Sequence, residues 1–294
     1  MASIEVADLP AILGVSAGYL RALARSAPGL YERHVFYDGS EARQLNVPSD
    51  ALKEVQSAIY ERILRQLPVN PCVHSAPGRS ILSNARRHVG HQYLSTFDIR
   101  HCFPAIGPRR VRAALERAGF NSAVAKLLTR LTTVGHQLPQ GAPTSPALLN
   151  AVLVDLDGKI ASVARAAGLS YSRYVDDLFL SGGARTPSLA QVVERIIRNH
   201  QLELHPKKRF DWGPTERHTV TAIMVNTTPS ALPEYVESLI VLIEQHRCSS
   251  MILTPTNVAS IRGKIGFVDW VNPTQGAELE RMLRDVERGA AIPA

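Results

Sequence analysis

The segment Ser172-Arg-Tyr-Val-Asp-Asp-Leu-Phe-Leu-Ser181 places two adjacent acids, Asp176 and Asp177, between short apolar runs that read as the arms of a hairpin. In a regular strand neighbouring side chains point to opposite faces, whereas a tight turn lets both approach one place. Flanked by Tyr174, Val175, Leu178 and Phe179, the two carboxylates would be partly desolvated and mutually repelling. That arrangement is costly unless a cation neutralises it, and hard oxygen ligands beside a phosphate-bearing substrate suit Mg²⁺. On this segment alone, a solvated Asp-Asp turn is the alternative.

Two other segments bear on the choice. In Thr96-Phe-Asp-Ile-Arg-His-Cys-Phe-Pro-Ala-Ile106, Asp98 stands near the end of an apolar strand, where an acid could equally cap the next helix. In Leu138-Pro-Gln-Gly-Ala-Pro-Thr-Ser-Pro146, a loop rich in Pro and Gly opens a helix, so its free backbone N–H groups could face an anion.

The chain of 294 residues can bury a sizeable core as one large domain or two packed subdomains. With 45% hydrophobic and 20% charged residues it has the composition of a globular protein rather than a disordered one. No run of roughly 18 apolar residues suggests a membrane span. The N-terminus lacks the basic start and apolar run of a signal peptide. Cys72, Cys102 and Cys248 are odd in number and widely spaced, which points to reduced, packed thiols and a cytoplasmic location. The net charge of +7 favours a polyanionic partner.

Hydrophobic spacing and turn residues give a coarse map. Short helices are expected over residues 5–27, with Ser16 as an N-cap, and two strands around Asp38-Gly39 over 31–47. A helix is expected over 49–67, a strand over 92–99, and two helices over 107–131 divided near Gly119. A long apolar helix should start with Ser145 as cap and Pro146 in its first turn and run to 167. A hairpin follows at 169–182, a helix at 187–201, a strand at 218–226 and helices from 230 to 288. Strands and helices mixed without regular alternation predict an α+β fold. The expected division is a helical segment at 1–30, a main domain at 31–229 and a helical appendage at 230–294.

The three acidic and loop segments, in this order, resemble the palm motifs of reverse transcriptases. The resemblance implies a right-hand polymerase fold, with fingers and palm over 31–229 and a helical thumb after them. Asp98 matches the first metal-binding acid, Gln140-Gly141 the loop against the incoming nucleotide, and Tyr174-Val175-Asp176-Asp177 the tetrapeptide carrying the other two acids. By the same resemblance two Mg²⁺ ions would be held by Asp98, Asp176, Asp177 and the backbone carbonyl of Ile99. Such ions, roughly 4 Å apart, activate the primer 3′-oxygen and stabilise the leaving pyrophosphate. Phe103 would lie under the sugar and select deoxynucleoside triphosphates, while Arg79 and Lys208 would meet the triphosphate. Lys207 and Arg209 would touch nucleic-acid backbone.

Further wording resembles bacterial retron enzymes: Leu52-Lys-Glu-Val-Gln56, Val73-His74, Gly78-Arg-Ser-Ile81, Asn84-Ala-Arg-Arg-His88, the Gln140–Pro146 segment and Thr219-Val-Thr-Ala-Ile-Met-Val-Asn226. The likeness runs over roughly residues 30 to 285. It implies a polymerase that copies a structured noncoding RNA into multicopy single-stranded DNA, primed from a guanosine 2′-OH of that RNA. It also implies an effector protein as partner in antiphage defence. Asn84, His88, Thr219, Val220 and Thr221 would contact the RNA, or in the case of His88 order the fingers. Arg262, Lys264 and Arg281 would meet the template–primer duplex, with the small Gly263 and Gly266 permitting close approach. Three positions depart from the retron pattern: Ala222 where glycine is usual, Cys102 in place of an aromatic, and Val175 in place of alanine. Other bacterial reverse transcriptases (abortive-infection, diversity-generating or group II intron types) and a non-catalytic RNA-binding scaffold are the competing readings.

Overall fold

A computed structural model describes residues 4–38, 41–185, 187–248 and 255–290. In chain order the elements are α1 (Leu9–Leu13), α2 (Ala17–Ser26), β1 (Tyr31–Asp38), β2 (Glu41–Pro48), α3 (Asp50–Arg62), α4 (Ile81–Arg86) and β3 (Tyr93–Asp98). Then come α5 (Pro108–Arg117), α6 (Ser122–Thr132), α7 (Ser145–Val152), α8 (Val154–Ala166), β4 (Ser170–Tyr174), β5 (Asp177–Gly182) and α9 (Pro187–Asn199). The remainder is β6 (Phe210–Trp212), β7 (Thr219–Val220), β8 (Ile223–Met224), β9 (Ser230–Ala231), α10 (Pro233–Cys248), α11 (Pro255–Val271) and α12 (Pro273–Ala290). The fold is α+β, and no helix among the described residues is long and apolar enough to cross a membrane.

Local chemistry explains most boundaries. The Ser16 hydroxyl accepts the Tyr19 N–H and starts α2, and the Asn121 side chain accepts the Ala123 and Val124 N–H groups at the start of α6. β1 and β2 form an antiparallel hairpin from Tyr31↔Pro48 to Asp38↔Glu41, while Gly39 of the expected turn lies outside the described residues. The single helix expected over 144–167 is two helices. Leu153 adopts φ −88° and ψ 3° between α7 and α8, and because it is buried like its neighbours the apolar pattern passes through the break unchanged. Ser145 is not the cap: its hydroxyl donates to the Pro139 carbonyl at 2.6 Å, and the cap position is Thr144.

The strand expected over 218–226 is also corrected. β7 and β8 pair as Val220↔Ile223, so the segment is a tight hairpin whose central residues, Thr221 and Ala222, have φ of 47° and 61°. Two left-handed central residues are what a type I′ turn demands.

By compactness the chain forms two units. One unit comprises Met1–Arg79, Thr96–Phe179 and Thr186–Phe210, and the other Ser80–Ser95, Leu180–Arg185 and Asp211–Ala294. The first holds the buried faces of α3, α6, α7 and α8, and the four-stranded sheet has the order β4-β5-β3-β6. The second contains the small β7-β8-β9 sheet and a cluster from α10, α11 and α12 that includes Leu239, Ile243, Ile265, Val268, Leu279 and Leu283.

The α11–α12 connection is a single residue. Asn272 accepts the Thr274 and Gln275 N–H groups and so caps α12, while its own amide donates to the Pro229 carbonyl. So sharp a reversal presses Gly276 onto α11: a Cβ there would lie 2.4 Å from the Asp269 Cα. Backbone cannot yield as a side chain can, so Gly276→Ala is expected to destabilise the helical cluster by about 3 kcal/mol, the upper end for overpacking. Chemical denaturation checks this, and an unchanged midpoint would contradict it.

Candidate active site

The turn between β4 and β5 carries the paired acids, and its first residue is the unusual one. Val175 has φ 57°, a left-handed conformation that a β-branched side chain resists at a cost of about 1–3 kcal/mol. The surroundings over-determine it. The Val175 N–H donates to the Ser75 hydroxyl at 3.0 Å, and its carbonyl accepts from Arg173 Nη1 at 2.6 Å. Arg173 is fully buried and forms a forked pair with Asp157 of α8, Nε to Oδ1 at 2.8 Å and Nη2 to Oδ2 at 2.8 Å. Burial opposes the charge on Arg173, but the Asp157 carboxylate outweighs it and holds the guanidinium pKa above its ordinary value. Residues 72–74 run alongside β4, with Arg173 N–H donating to the Cys72 carbonyl and His74 N–H to the Arg173 carbonyl, and this brings Ser75 to the turn.

Asp98 reaches the same place through the sheet. The N–H of Ile99 donates to the Asp176 carbonyl at 3.0 Å, which sets the end of β3 beside the turn. A bridge to Leu204 uses the Asp98 carbonyl and the Arg100 N–H, and not the carbonyl of Ile99. Asp98, Ile99 and Asp176 line one cleft of about 590 Å³, together with Gln140, Cys102 and Lys208. The Lys208 ammonium lies 3.1 Å from Asp98 Oδ2. Burial, followed by the negative charge of Asp176, pushes the Cys102 thiol up to about 12.

The donor chemistry of this cleft is carboxylate and carbonyl oxygen, which suits a hard divalent cation. Asp177 is not among the lining residues. It is the first residue of β5. Among the described residues no three His, Cys, Asp or Glu side chains form a group able to hold a metal ion. Asp98 and Asp176 are the two carboxylates that line the cleft. That number suits Mg²⁺, which is commonly held by one or two carboxylates plus substrate phosphates.

The Gln140 loop borders the cleft because it is pinned to the β-hairpin. The Asn46 N–H donates to the Gln140 carbonyl at 2.8 Å, and a Cβ on Gly141 would lie 3.3 Å from the Asn46 carbonyl oxygen. With φ at 109° as well, that position excludes other residues on both counts.

Comparison with known proteins bears on this cleft. Residues 38–216, more than half of the chain, match the family model of reverse transcriptase (RNA-dependent DNA polymerase). Retron Mx65 reverse transcriptase of Myxococcus xanthus is 32% identical over 300 residues, covering 93% of this chain and 70% of that protein. Retron Ec86 reverse transcriptase of Escherichia coli is 31% identical over 229 residues, covering 74% and 70%. This chain belongs to the retron-type reverse transcriptases. Among solved structures, telomerase from Candida albicans in complex with a fragment of telomeric RNA superposes with a TM-score of 0.52 at 10% identity. It covers 88% of this chain, which spans 59% of the telomerase chain, and the likeness supports the right-hand polymerase fold alone.

The reverse transcriptase does not gather every residue expected at its centre. Arg79 lines a separate cavity of about 370 Å³ and spends Nη1 on the Asn70 and Val73 carbonyls, so it braces a loop instead of facing the acids. Phe103 is half-buried in the turn after β3 and is not among the cleft-lining residues. Asn84, expected to contact RNA, and His88, expected to contact RNA or order the fingers, are both fully buried. His88 Nδ1 lies 2.6 Å from the Ser181 hydroxyl of β5, an internal role in the turn after α4, while Asn84 is buried within α4. Thr221 is half-buried and its hydroxyl donates to the Ile81 carbonyl, while Thr219 and Val220 form β7. Arg262 pairs with Glu280 and Glu287 of α12, whereas Lys264 is exposed. A Cβ on Gly263 or Gly266 would meet nothing, so both face open space.

Ala222, where glycine is usual, adopts a left-handed φ of 61°. The conformation is imposed by the two-residue turn, at a cost of about 1–2 kcal/mol for an L-residue. Ala222→Gly is therefore expected to stabilise the reverse transcriptase by about 1 kcal/mol, the relief being partly offset by the freer unfolded chain. A higher denaturation midpoint is the outcome to look for, and an unchanged or lower one would contradict the turn assignment.

Proposed function

We propose that this reverse transcriptase copies a structured noncoding RNA into multicopy single-stranded DNA, adding deoxynucleotides at the cleft of Asp98 and Asp176. The observation that carries the reading is the convergence of these two carboxylates with Gln140 and Lys208 in one cleft. The family requires a divalent cation, and the oxygen donors here favour Mg²⁺, two ions as the resemblance implies. When bound, the ions supply charge neutralisation at the attacking and leaving oxygens. Asp98 and Asp176 would hold them, with the Ile99 carbonyl on the same wall. Lys208 adds a positive charge where phosphate arrives, and Gln140 borders the nucleotide. Residues 31–229 serve as fingers and palm, and the α10–α12 cluster serves as a thumb on the duplex, with Lys264 exposed for a backbone contact.

The net charge of +7 supports binding of a nucleic-acid template. Buried thiols at Cys72 and Cys102 fit a reducing cytoplasm. By resemblance to retron enzymes, the product acts with an effector protein in antiphage defence. Sequencing the nucleic acid that co-purifies with the chain tests the reading. A defined RNA covalently joined to short single-stranded DNA is expected, and a heterogeneous RNA population with no attached DNA would overturn the retron assignment.

A further inference from the structure

We infer that Arg173 is a positioning residue for polymerisation: from the interior, its guanidinium holds Val175 in the left-handed conformation that presents Asp176 to the cleft. The inference rests on the reading of Asp176 as a catalytic acid.

The hydrogen bonds around the turn form a closed ring. Arg173 Nη1 donates to the Val175 carbonyl, and Nη2 donates to Asn150 Oδ1 at 3.1 Å. The Asn150 amide donates to the Ser75 carbonyl at 2.8 Å, and the Ser75 hydroxyl accepts the Val175 N–H. Both backbone polar groups of Val175 are thus held by side chains, immediately before the residue whose carbonyl takes the Ile99 N–H. A guanidinium suits this place for a geometric reason. Its planar fork serves the Asp157 carboxylate with Nε and Nη2 and still leaves Nη1 for the carbonyl, which an ammonium cannot do simultaneously. Were neutralisation of Asp157 the whole purpose, an apolar pair in this fully buried site would serve as well. The β-branched Val175 gives the clamp something to oppose, since it resists φ 57° where glycine would not.

A double-mutant cycle tests the clamp, using the full chain with an RNA template, a DNA primer, deoxynucleoside triphosphates and Mg²⁺. Arg173→Lys keeps the charge opposite Asp157 but loses the fork. It is expected to lower kcat by about tenfold, a factor within the range that strain of this kind represents, with KM for the nucleotide within about twofold. Val175→Gly removes the resistance, so in the Arg173→Lys background it should restore kcat by about threefold or more. A merely structural role for Arg173 predicts no such rescue. An Arg173→Lys kcat within about twofold of the parent, or losses that simply multiply in the double variant, would overturn the inference. If Arg173→Lys does not fold, the same cycle run with Ser75→Ala decides by the same criteria. Asp176→Ala belongs in the series: its retained activity would overturn the catalytic reading and the inference together. An inactive Asp176→Ala beside a fully active Arg173→Lys overturns the inference alone.

Discussion

Asp98→Asn and Asp176→Asn are each expected to reduce deoxynucleotide incorporation by about a thousandfold, while Asp177→Asn costs markedly less. Phosphoryl transfer asks little covalent chemistry of a protein, so its rate depends on positioning and on neutralising charge at the reacting oxygens. A carboxylate that lines the cleft contributes directly to that, and asparagine keeps its shape while removing its charge. Asp98 and Asp176 line the cleft and Asp177 does not. The substitutions should leave folding intact, since the exposed Lys208 can be solvated when its partner loses charge. Single-nucleotide extension with Mg²⁺, alongside a template-binding assay, checks both halves. Equal losses at all three positions would show that Asp177 enters the cleft during turnover, and undiminished activity at Asp98 or Asp176 would remove the metal-centre reading.

What the sequence made legible was local chemistry, and what it hid was burial and long-range pairing. Two acids in a turn, a third at a strand end and a Pro-Gly loop are recognisable because each is short and chemically distinctive, and β-sheet pairing brings two of the three acids to the cleft. The cap at Ser16 acts within three residues of itself, so that helix start was readable, whereas the equally local Asn121 cap was passed over. Leu153 was not, because a break inside an apolar stripe leaves the stripe intact. Asn84 and His88 looked like contact residues from the retron resemblance, yet both are buried, in α4 and in the turn after it, which nothing in so short a segment announces. The Arg173–Asp157 pair did leave a trace. Asp157 falls on the buried stripe of α8 with Leu156, Ile160 and Ala164, and Arg173 is buried in β4 together with Tyr171 and Ser172. A charge on each of two core-facing stripes is a signal for mutual pairing.

Asp157→Leu is expected to be the most damaging single change to stability, at about 3–5 kcal/mol, because it leaves the Arg173 guanidinium buried and without its counter-ion. The pair is fully excluded from solvent, and the Tyr171 hydroxyl also donates to Asp157 at 2.9 Å, so two buried donors lose their acceptor at once. Combining Asp157→Leu with Arg173→Met removes both charges and should recover most of that loss, since apolar replacements of a buried ion pair are often neutral in stability. Activity should not follow stability back. The double variant still lacks the donor to the Val175 carbonyl, so nothing on that side opposes relaxation of the left-handed turn. Thermal unfolding and incorporation rates measured on the two variants separate these effects. A double variant that regains both would reduce Arg173 to a counter-ion, whereas recovered stability with depressed kcat ties the buried pair to the geometry of the acids.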